Sequence, residues 1–347
     1  MIRVDIWVGI AAMGGVESVI NRTVRYLKTK DVQVRVVQLV WADREWLEEE
    51  VEFYYLIQGP LTSWDGVFEK YVGFYHEHAC PDIVLVEGWP ILNIFAKKLV
   101  VEAGLPFRIL ERVHDSIDWY AGAGIGGMEY LQYADAHMVL NREIEKRIRE
   151  GIPGAQVFRI NNPINDDAIS YNDDRDMHKL AFVGRVSEEK DIPLLLRAVS
   201  ASSGDWSLSI VGEGPAMGEI TSEIDRLTIS DRVSMCSWQR DPWTLLKDRG
   251  FLLVASQREI GPLVAVEALA GGMAVISRPV GIMTDVIKEG KNGYLFETEM
   301  ELVRILDGLE TGEISRPDPE ACRDSVSGFL GGRQLDELLE ILEAMVR

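Results

Sequence analysis

The stretch that decides the fold is Glu259-Ile260-Gly261-Pro262-Leu263-Val264-Ala265-Val266-Glu267. It lies between a β-rich run ending near Ala255 and a helical pattern that stops at Gly271-Gly272. Proline suits a first helical turn and glycine suits a helix end, so the pattern predicts a strand, a loop and a helix. Glu259 would then lie at the carboxyl edge of a strand and Glu267 more than one turn into the helix. The first N–H groups of that helix, around Gly261 to Val264, would be free to bind an anion.

The same alternation of strands and helices runs along the chain in both directions. It is typical of βαβ units and predicts an α/β protein with a mainly parallel sheet in each half. The strands predicted in the first half are 2–8, 33–40, 83–87, 107–111, 136–140 and 157–160, with helices around 16–29, 64–79 and 91–103. The strands predicted in the second half are 179–184, 206–211, 232–236, 250–255, 273–277 and 293–296, with helices between most of them.

A length of 347 residues suggests two domains, and the polar stretch Asn161 to Lys179 breaks the alternation between them. We predict a Rossmann-like first domain and a Rossmann-like second domain, joined by a linker and followed by a last helix from about Arg333 to Met345. That helix could pack back on the first domain. The predicted boundaries are 1–165, 166–178, 179–330 and 331–347.

Composition restricts the classes of partner. The formal net charge of −20 repels phosphate backbones, so we expect no nucleic-acid partner and at most peripheral membrane contact. The amino terminus alternates like a strand rather than like a secretory signal, and no apolar run approaches the roughly 18 residues of a membrane span. Three widely spaced cysteines, Cys80, Cys236 and Cys322, suit a reducing compartment. We therefore predict a cytoplasmic protein.

A second motif places two cations at a strand end. Leu180 to Arg185 reads as a strand running into a loop, and Glu188 to Asp191 leads into a helix that starts near Pro193. Arg185 and Lys190 would thus lie where dinucleotide-binding folds hold a diphosphate. A pair of solvated surface cations is the alternative.

These motifs resemble family 4 of the retaining glycosyltransferases, the glycosyl transferases group 1, whose pattern of Glu, seven residues, Glu matches Glu259 to Glu267. The resemblance covers most of residues 180–297, in order and at similar spacing. Its motifs are Gly184-Arg185 with Lys190, Val211 to Pro215, Glu267 to Ser277 and Asn292 to Phe296. The first half matches more thinly, at Gly14 to Glu17, Pro81 to Val84 and Val113 to Asp115. The resemblance implies the GT-B fold, in which two Rossmann-like domains face each other across a cleft.

The resemblance also implies residue roles. Arg185 and Lys190 would neutralise the donor diphosphate, Glu267 would accept hydrogen bonds from ribose hydroxyls, and Glu259 would contact the transferred sugar. The donor-binding set implied is Gly14, Gly15, Gly184, Arg185, Lys190, Glu259, Gly261, Leu263, Val264 and Glu267. The catalytic set implied is His114, Arg185, Lys190 and Glu259.

The acceptor side is implied less directly. His114 would face the transferred sugar, its alternative being a histidine satisfied within the core, and Asp115 would lie beside it in the cleft wall. Trp89 and Trp119, both expected at strand ends, could stack on an acceptor sugar. Two departures from the family pattern bear on the sugar pocket. Ile260 replaces the more common glycine, and the loop Val280 to Asp285 ends in aspartate where glutamate is usual.

Three other motifs are given no role. Asp174-Arg175-Asp176 looks like a metal-binding Asp-x-Asp but lies in the predicted linker, and His76 to Cys80 ends a predicted helix without a second ligand cluster. The run Gly122 to Gly127 does not follow a convincing strand, so we interpret it as a mobile cleft loop. No cofactor is implied, since the nucleotide sugar is a substrate. No divalent metal is implied either, because the Asp-x-Asp run lies in the predicted linker.

The sequence therefore predicts a metal-independent, retaining hexosyltransferase. Its donor would be a nucleotide-diphosphate sugar, UDP being the first choice, and its acceptor a hydroxyl on a carbohydrate, a lipid-linked sugar or a protein. The product would belong to cell-surface polysaccharide or glycoconjugate synthesis. Two alternatives remain open: a sugar-nucleotide epimerase or hydrolase on the same fold, and a catalytically silent partner subunit.

Overall fold

The computed structural model describes residues 1–9, 15–41, 46–164, 169, 172 and 174–347. The chain divides into two compact units. The first unit is Met1–Pro163 together with Gly332–Arg347, and the second is Ile164–Gly331. None of the described helices combines the length with the hydropathy that a membrane span requires.

The described part of the first unit contains a seven-stranded sheet in the order β3-β2-β1-β4-β5-β6-β7, with every pair of neighbours parallel. Its strands are β1 Ile2–Val8, β2 Val32–Val40, β3 Glu52–Ile57, β4 Ile83–Glu87, β5 Arg108–Arg112, β6 Ala136–Val139 and β7 Gln156–Arg159. Its helices are α1 Gly15–Lys28, α2 Val67–Glu77, α3 Leu92–Val101, α4 Ile117–Gly122, α5 Met128–Leu131 and α6 Arg142–Gly151, with α14 Arg333–Val346 from the end of the chain. The central strands are apolar runs because a parallel sheet is covered on both faces.

The last helix belongs to the first unit. The apolar face of α14 contributes Leu335, Leu338, Ile341 and Leu342 to the core that β1 and β4 share with α1. The Tyr26 hydroxyl of α1 also contacts the carboxylate of Asp336. The chain therefore returns to its first unit after the second unit is complete.

The second unit contains, within its described residues, a six-stranded parallel sheet in the order β10-β9-β8-β11-β12-β13. Its strands are β8 Asp176–Val183, β9 Ser207–Val211, β10 Val233–Cys236, β11 Arg249–Val254, β12 Ala274–Ser277 and β13 Gly293–Leu295. Its helices are α7 Ile192–Ala201, α8 Met217–Leu227, α9 Trp243–Leu246, α10 Leu263–Ala270, α11 Met283–Val286, α12 Glu299–Thr311 and α13 Pro319–Ser325. In both sheets the strand order reverses direction beside the first strand, where such folds bind ligands beyond the carboxyl ends of their strands.

Each predicted strand is present, but the prediction omitted β3 and the helices α4, α5 and α6. β3 is an edge strand whose side chains are mostly half-buried on both faces, so it lacks the alternation that indicates a strand. The predicted helix 64–79 is shorter than expected. It begins at Val67 because Gly66 adopts a left-handed conformation, with φ of 75°, and it ends before the extended His78.

The structure gives the contacts of one predicted loop and corrects the bounds of another. In the glycine run, the carbonyl of Ile125 accepts the N–H of Ile91 at 2.8 Å, and Gly126 lies against Pro90. The predicted linker 166–178 also runs too far, since β8 already begins at Asp176. Much of that linker lies outside the described residues.

Candidate functional site

The predicted donor residues of the second unit lie at one edge of its sheet. β8, β11 and β12 are neighbours and parallel, so their carboxyl ends share that edge. Gly184 and Arg185 follow β8, Glu259 lies on the loop after β11, and Arg278 follows β12. Strand order therefore brings together motifs that are more than 70 residues apart in the chain.

The loop that carries Arg185 is held against the next loop by glycine packing. A Cβ atom on Gly212 would lie 1.9 Å from the carbonyl oxygen of Gly184, so the two backbones touch where only glycine fits. The N–H of Gly184 donates to Val211 at 3.1 Å and that of Val186 donates to Glu213 at 2.8 Å. The backbone on both sides of Arg185 is thus fixed, while its side chain is exposed.

Lys190 and Glu259 contact each other directly. The ammonium group of Lys190 lies against Oε1 of Glu259, and each side chain is about one-fifth exposed. The Ser256 hydroxyl donates to the same carboxylate oxygen at 3.1 Å. The two predicted donor residues are therefore one paired group, and a ligand that binds the lysine competes with the glutamate.

A second set of contacts ties the two loops together. The N–H of Gln257 donates to the carbonyl of Glu189 at 2.8 Å, and Arg278 pairs with Asp191 at 2.9 Å. Burial would raise the pKa of Glu189, but its hydrogen bond from Ser187 at 2.6 Å and the nearby cations hold that pKa below the ordinary value. Cations and carboxylates therefore alternate at this edge of the sheet, and most of the charges are paired.

The helix α10 begins at Leu263, and Pro262 is its extended capping residue rather than part of its first turn as predicted. No side chain caps this end of the helix. The N–H groups of Leu263 and Val264 are the first two of the helix, so helix geometry gives them no acceptor within it. With Gly261 just before them, they provide donors suited to an anion or a sugar hydroxyl.

Glu267 is the fifth residue of α10 and is 9% exposed. The indole Nε1 of Trp243, from α9, donates to Oε2 of Glu267 at 3.3 Å. Trp243 therefore orients the carboxylate that the resemblance assigns to the ribose.

The two departures from the family pattern contact each other. The N–H of Ile282 donates to the carbonyl of Ile260 at 2.9 Å, and Gly281, with φ of 53°, packs its Cα against the same carbonyl. Asp285 is exposed on α11, and Ile260 is buried. The unusual isoleucine and the unusual loop therefore form one packing unit beside Glu259.

In the first unit, His114 is a paired side chain. Its Nε2 lies 2.5 Å from Oε2 of Glu87, and its side chain is only 4% exposed. Glu87 ends β4 and also lies 3.0 Å from the guanidinium of Arg112. The Tyr120 hydroxyl accepts the N–H groups of His114 and Asp115, at 2.8 and 2.9 Å.

The predicted aromatic residues occupy different settings. Trp89 is half-buried and lies directly over Gly9. A Cβ atom added to Gly9 would be only 2.0 Å from the indole of Trp89. The indole of Trp89 also packs edge-on to Trp64. Trp119 is half-buried in α4 and its N–H donates to the hydroxyl of Ser116. Gly15 is the exposed first residue of α1, and Gly14 lies outside the described residues.

Comparison with known proteins supports the motifs. The family described as glycosyl transferases group 1 matches residues 165–324. The lipopolysaccharide 1,6-galactosyltransferase of Escherichia coli K12 is 26% identical, over 96% of this chain and 95% of its own length. Residues 165–324 thus match the family whose motifs the sequence resembles.

Two solved structures share the fold of the whole chain. The apo form of WaaB, a lipopolysaccharide outer core galactosyltransferase, has a TM-score of 0.80 with 22% identity over 99% of both chains. Anabaena Alr3699/HepE in complex with UDP and glucose has a TM-score of 0.78 with 15% identity, over 99% of this chain and 100% of its own. The GT-B fold and the identification as a glycosyltransferase are thus confirmed, and assignment to family 4 stays a prediction.

Two of the motifs that were given no role have structural explanations. Arg175 donates to the backbone carbonyls of Lys247 and Gly271, and the ring of His78 packs against Phe74. Among the described residues, no group of three or more His, Cys, Asp or Glu side chains is arranged to hold a metal ion.

Sequence reasoning did not single out Glu87, Ser256 or Arg278. Each lies at the carboxyl end of a strand or within two residues of one. That position was the available signal, since ligands of such sheets bind at this edge. Trp243 gave no comparable signal, because its contact with Glu267 joins two separate helices.

Proposed function

We propose that the protein is a retaining hexosyltransferase that uses a nucleotide-diphosphate sugar, with UDP as the nucleotide. The observation that carries the proposal is the grouping of Arg185, the Lys190–Glu259 pair and the uncapped start of α10 at one sheet edge. The Anabaena structure, with UDP and glucose, supports the choice of UDP. The Escherichia coli relative supports an acceptor in lipopolysaccharide or another cell-surface polysaccharide, and a lipid-linked sugar fits the same proposal.

The donor diphosphate would bind to the cations of the second unit. Arg185 is exposed and its backbone is fixed, so its guanidinium can meet a phosphate with little loss of backbone freedom. Lys190 would exchange Glu259 for phosphate oxygen, which frees Glu259 to accept hydrogen bonds from the transferred sugar. Glu267, oriented by Trp243, would bind the ribose.

The reaction would proceed by attack on the face of the sugar from which the nucleotide departs. The acceptor oxygen forms a bond to the anomeric carbon while the bond from that carbon to the β-phosphate oxygen breaks. The acceptor proton passes to the departing phosphate. Arg185 and Lys190 would stabilise the negative charge that develops on the phosphate, so no divalent metal is required.

The first unit would supply residues on the acceptor side. His114 and Asp115 would lie beside the transferred sugar, with Gly14 and Gly15 allowing close approach of the backbone. Trp89 and Trp119 would offer aromatic faces to an acceptor sugar. A cytoplasmic location is part of the proposal, because the thiols of Cys80 and Cys322 are free and burial raises their pKa values, to about 11 and about 12.

The first test is donor binding and turnover. UDP-, GDP- and ADP-sugars are screened by thermal shift with EDTA present, and nucleotide release is then followed for wild type, Arg185→Ala and Arg226→Ala. Arg226 is the matched control because it is an exposed arginine of the same unit that pairs with Glu223. We expect a selective rise in melting temperature with UDP-sugars and slow nucleotide release. In Arg185→Ala the rate should fall by about 10²- to 10³-fold, the usual cost of removing a charge-stabilising donor.

The outcomes separate the proposal from its rivals. If no nucleotide sugar binds at millimolar concentration, the protein is a silent partner subunit. Release of free sugar without dependence on an acceptor indicates a hydrolase, and a nucleotide sugar of changed configuration indicates an epimerase. Once an acceptor is found, an NMR spectrum of the product shows whether the anomeric configuration is retained.

A further inference from the structure

The carboxylate of Glu87 has no role in the function proposed above. Its side chain is fully buried at the carboxyl end of β4. One oxygen lies 2.5 Å from Nε2 of His114, and the other lies 3.0 Å from Nη1 of Arg112. A buried carboxylate is costly unless it is paired, and here two different strand-end residues pair with it.

The sheet accounts for this arrangement. Glu87 and Arg112 are register partners on the neighbouring strands β4 and β5, and His114 lies two residues beyond the end of β5. The N–H of Val113 donates to the carbonyl of Met138 at 2.9 Å, and the Tyr120 hydroxyl holds the N–H of His114. The backbone of His114 is therefore fixed, and Glu87 fixes its ring.

We propose that Glu87 is a positioning residue for His114. Its carboxylate accepts the Nε2 proton of the imidazole, which sets the ring orientation and keeps the proton on Nε2. The other nitrogen, Nδ1, is then the unprotonated acceptor for a hydroxyl of the transferred sugar. This inference rests on the proposed function for the role of His114, but the position of the proton depends only on the contact with Glu87.

Arg112 completes the arrangement. Its side chain is 5% exposed, and its Nη1 donates to the hydroxyl of Thr23 on α1 at 3.2 Å. A buried cation therefore lies opposite one oxygen of Glu87, and a carboxylate can only accept a hydrogen bond. The proton between Glu87 and His114 therefore belongs to the histidine.

The first test is an NMR measurement on the full chain, which needs no activity. The imidazole signals of the five histidines are recorded by ¹H–¹⁵N correlation, and the His114 signal is assigned by its loss in His114→Asn. We expect the Nε2-protonated tautomer in wild type and a changed tautomer population in Glu87→Gln. An Nδ1-protonated His114 in wild type overturns the proposal, as does an unchanged His114 signal in Glu87→Gln.

The second test is kinetic. Glu87→Gln should lower kcat by about 10- to 100-fold, the size of effect that orienting partners of histidine ligands have elsewhere, with a smaller change in donor KM. In a His114→Asn background the same substitution should change kcat by no more than about 2-fold, because its effect passes through His114. Additive losses overturn the proposal, since they indicate a structural role for Glu87.

The matched control is Glu111→Gln, which changes another fully buried carboxyl group, one residue before the end of β5, and should leave the His114 signal as in wild type. If Glu87→Gln unfolds because Arg112 loses its partner, Glu87→Gln with Arg112→Met removes both charges and is measured in its place.

Failure of the proposed function would give a different set of results. In that case wild type transfers no sugar, while the NMR result still decides the role of Glu87.

Discussion

Lys190 and Glu259 neutralise each other where the proposed function places the donor. At the scale of single residues, this pair makes ligand binding an exchange of partners. The diphosphate gains Lys190 only when Glu259 gives it up, and Ser256 remains as a donor to the released carboxylate. Glu259 then has its acceptor capacity free for sugar hydroxyls.

This exchange predicts opposite effects of Glu259→Gln on two ligands. UDP alone should bind about 2- to 5-fold more tightly, because a partly exposed ion pair of up to about 1 kcal/mol no longer competes. Transfer from UDP-sugar should fall, because the carboxylate no longer accepts hydroxyl hydrogen bonds. Calorimetric titration with UDP and initial-rate kinetics provide the two measurements. Ser256→Ala is the control, and weaker binding of UDP to Glu259→Gln would contradict the exchange.

A buried histidine in the first sheet predicts a pH dependence of stability. Burial lowers the pKa of His137 from 6.5 to about 4, so the folded protein keeps it neutral while the unfolded chain takes up a proton. Because the pKa of His137 is lower in the folded protein than in the unfolded chain, the contribution of His137 to the free energy of unfolding is fully present above pH 6.5. That contribution is lost as the pH falls towards 4. The slope should be about 1.4 kcal/mol per pH unit in that window.

The measurement is urea unfolding of wild type and His137→Phe between pH 4 and pH 7.5. The difference between the two proteins isolates His137 from its register partner Glu111, whose buried carboxyl has a pKa raised well above its ordinary value and so titrates with the opposite effect. His76→Phe, at an exposed position, is the control. Equal slopes for wild type and His137→Phe would show that the histidine is not buried neutral.

At the scale of elements, the second sheet sets the distance between its ligand loops by backbone contact. The loop after β9 touches the loop after β8 at Gly212 and Gly184, and the next turn repeats this where Gly214 lies against the carbonyl of Val186. The strand ends are thus packed without side chains between them. A single methyl group at this contact has to move a loop that carries Arg185.

Gly212→Ala should therefore weaken donor binding by at least about 10-fold, since the added Cβ would lie 1.9 Å from a carbonyl oxygen and φ is 150°. Gly218→Ala is the matched control. Gly218 lies in α8 with open space around its Cα, and alanine there should stabilise the helix by roughly 0.5–1 kcal/mol. UDP titration and thermal unfolding distinguish the two. A Gly212→Ala protein with wild-type affinity would show that the loop contact does not position Arg185.

At the scale of the whole molecule, the chain leaves its first unit and returns to it through α14. Leu338 and Leu342 are buried in the first unit, although they lie at least 330 residues from β1 in the sequence. The stability of the first unit therefore depends on both ends of the chain.

Leu342→Ala should lower the free energy of unfolding by about 2–5 kcal/mol, the usual cost of a leucine cavity in a packed core. Because the proposed donor residues of the second unit lie outside this core, UDP should still bind at a temperature where the variant is folded. Val346→Ala is the control, since Val346 is 44% exposed at the end of the same helix. Urea unfolding gives the first quantity and UDP titration the second. A destabilisation no larger than that of Val346→Ala would mean that α14 adds little to the core.

The sequence by itself determined the parallel βαβ architecture, because hydrophobic periodicity and the glycine and proline positions are local signals. It also determined the place of Glu259, Glu267, Arg185 and Lys190 at strand ends or in the following helix. The half-buried edge strand β3 gave no such signal, since its burial depends on neighbours that are distant in the chain.

Only the tertiary structure decided which side chains are paired. The contacts of Glu87 with His114, of Lys190 with Glu259 and of Arg278 with Asp191 each join residues separated by at least 27 positions. No periodicity encodes those separations, because strand order rather than spacing brings such residues to one edge of a sheet. A charged residue acquires its chemistry from the partner that lies within about 4 Å of it, and that partner is known only once the strands are ordered.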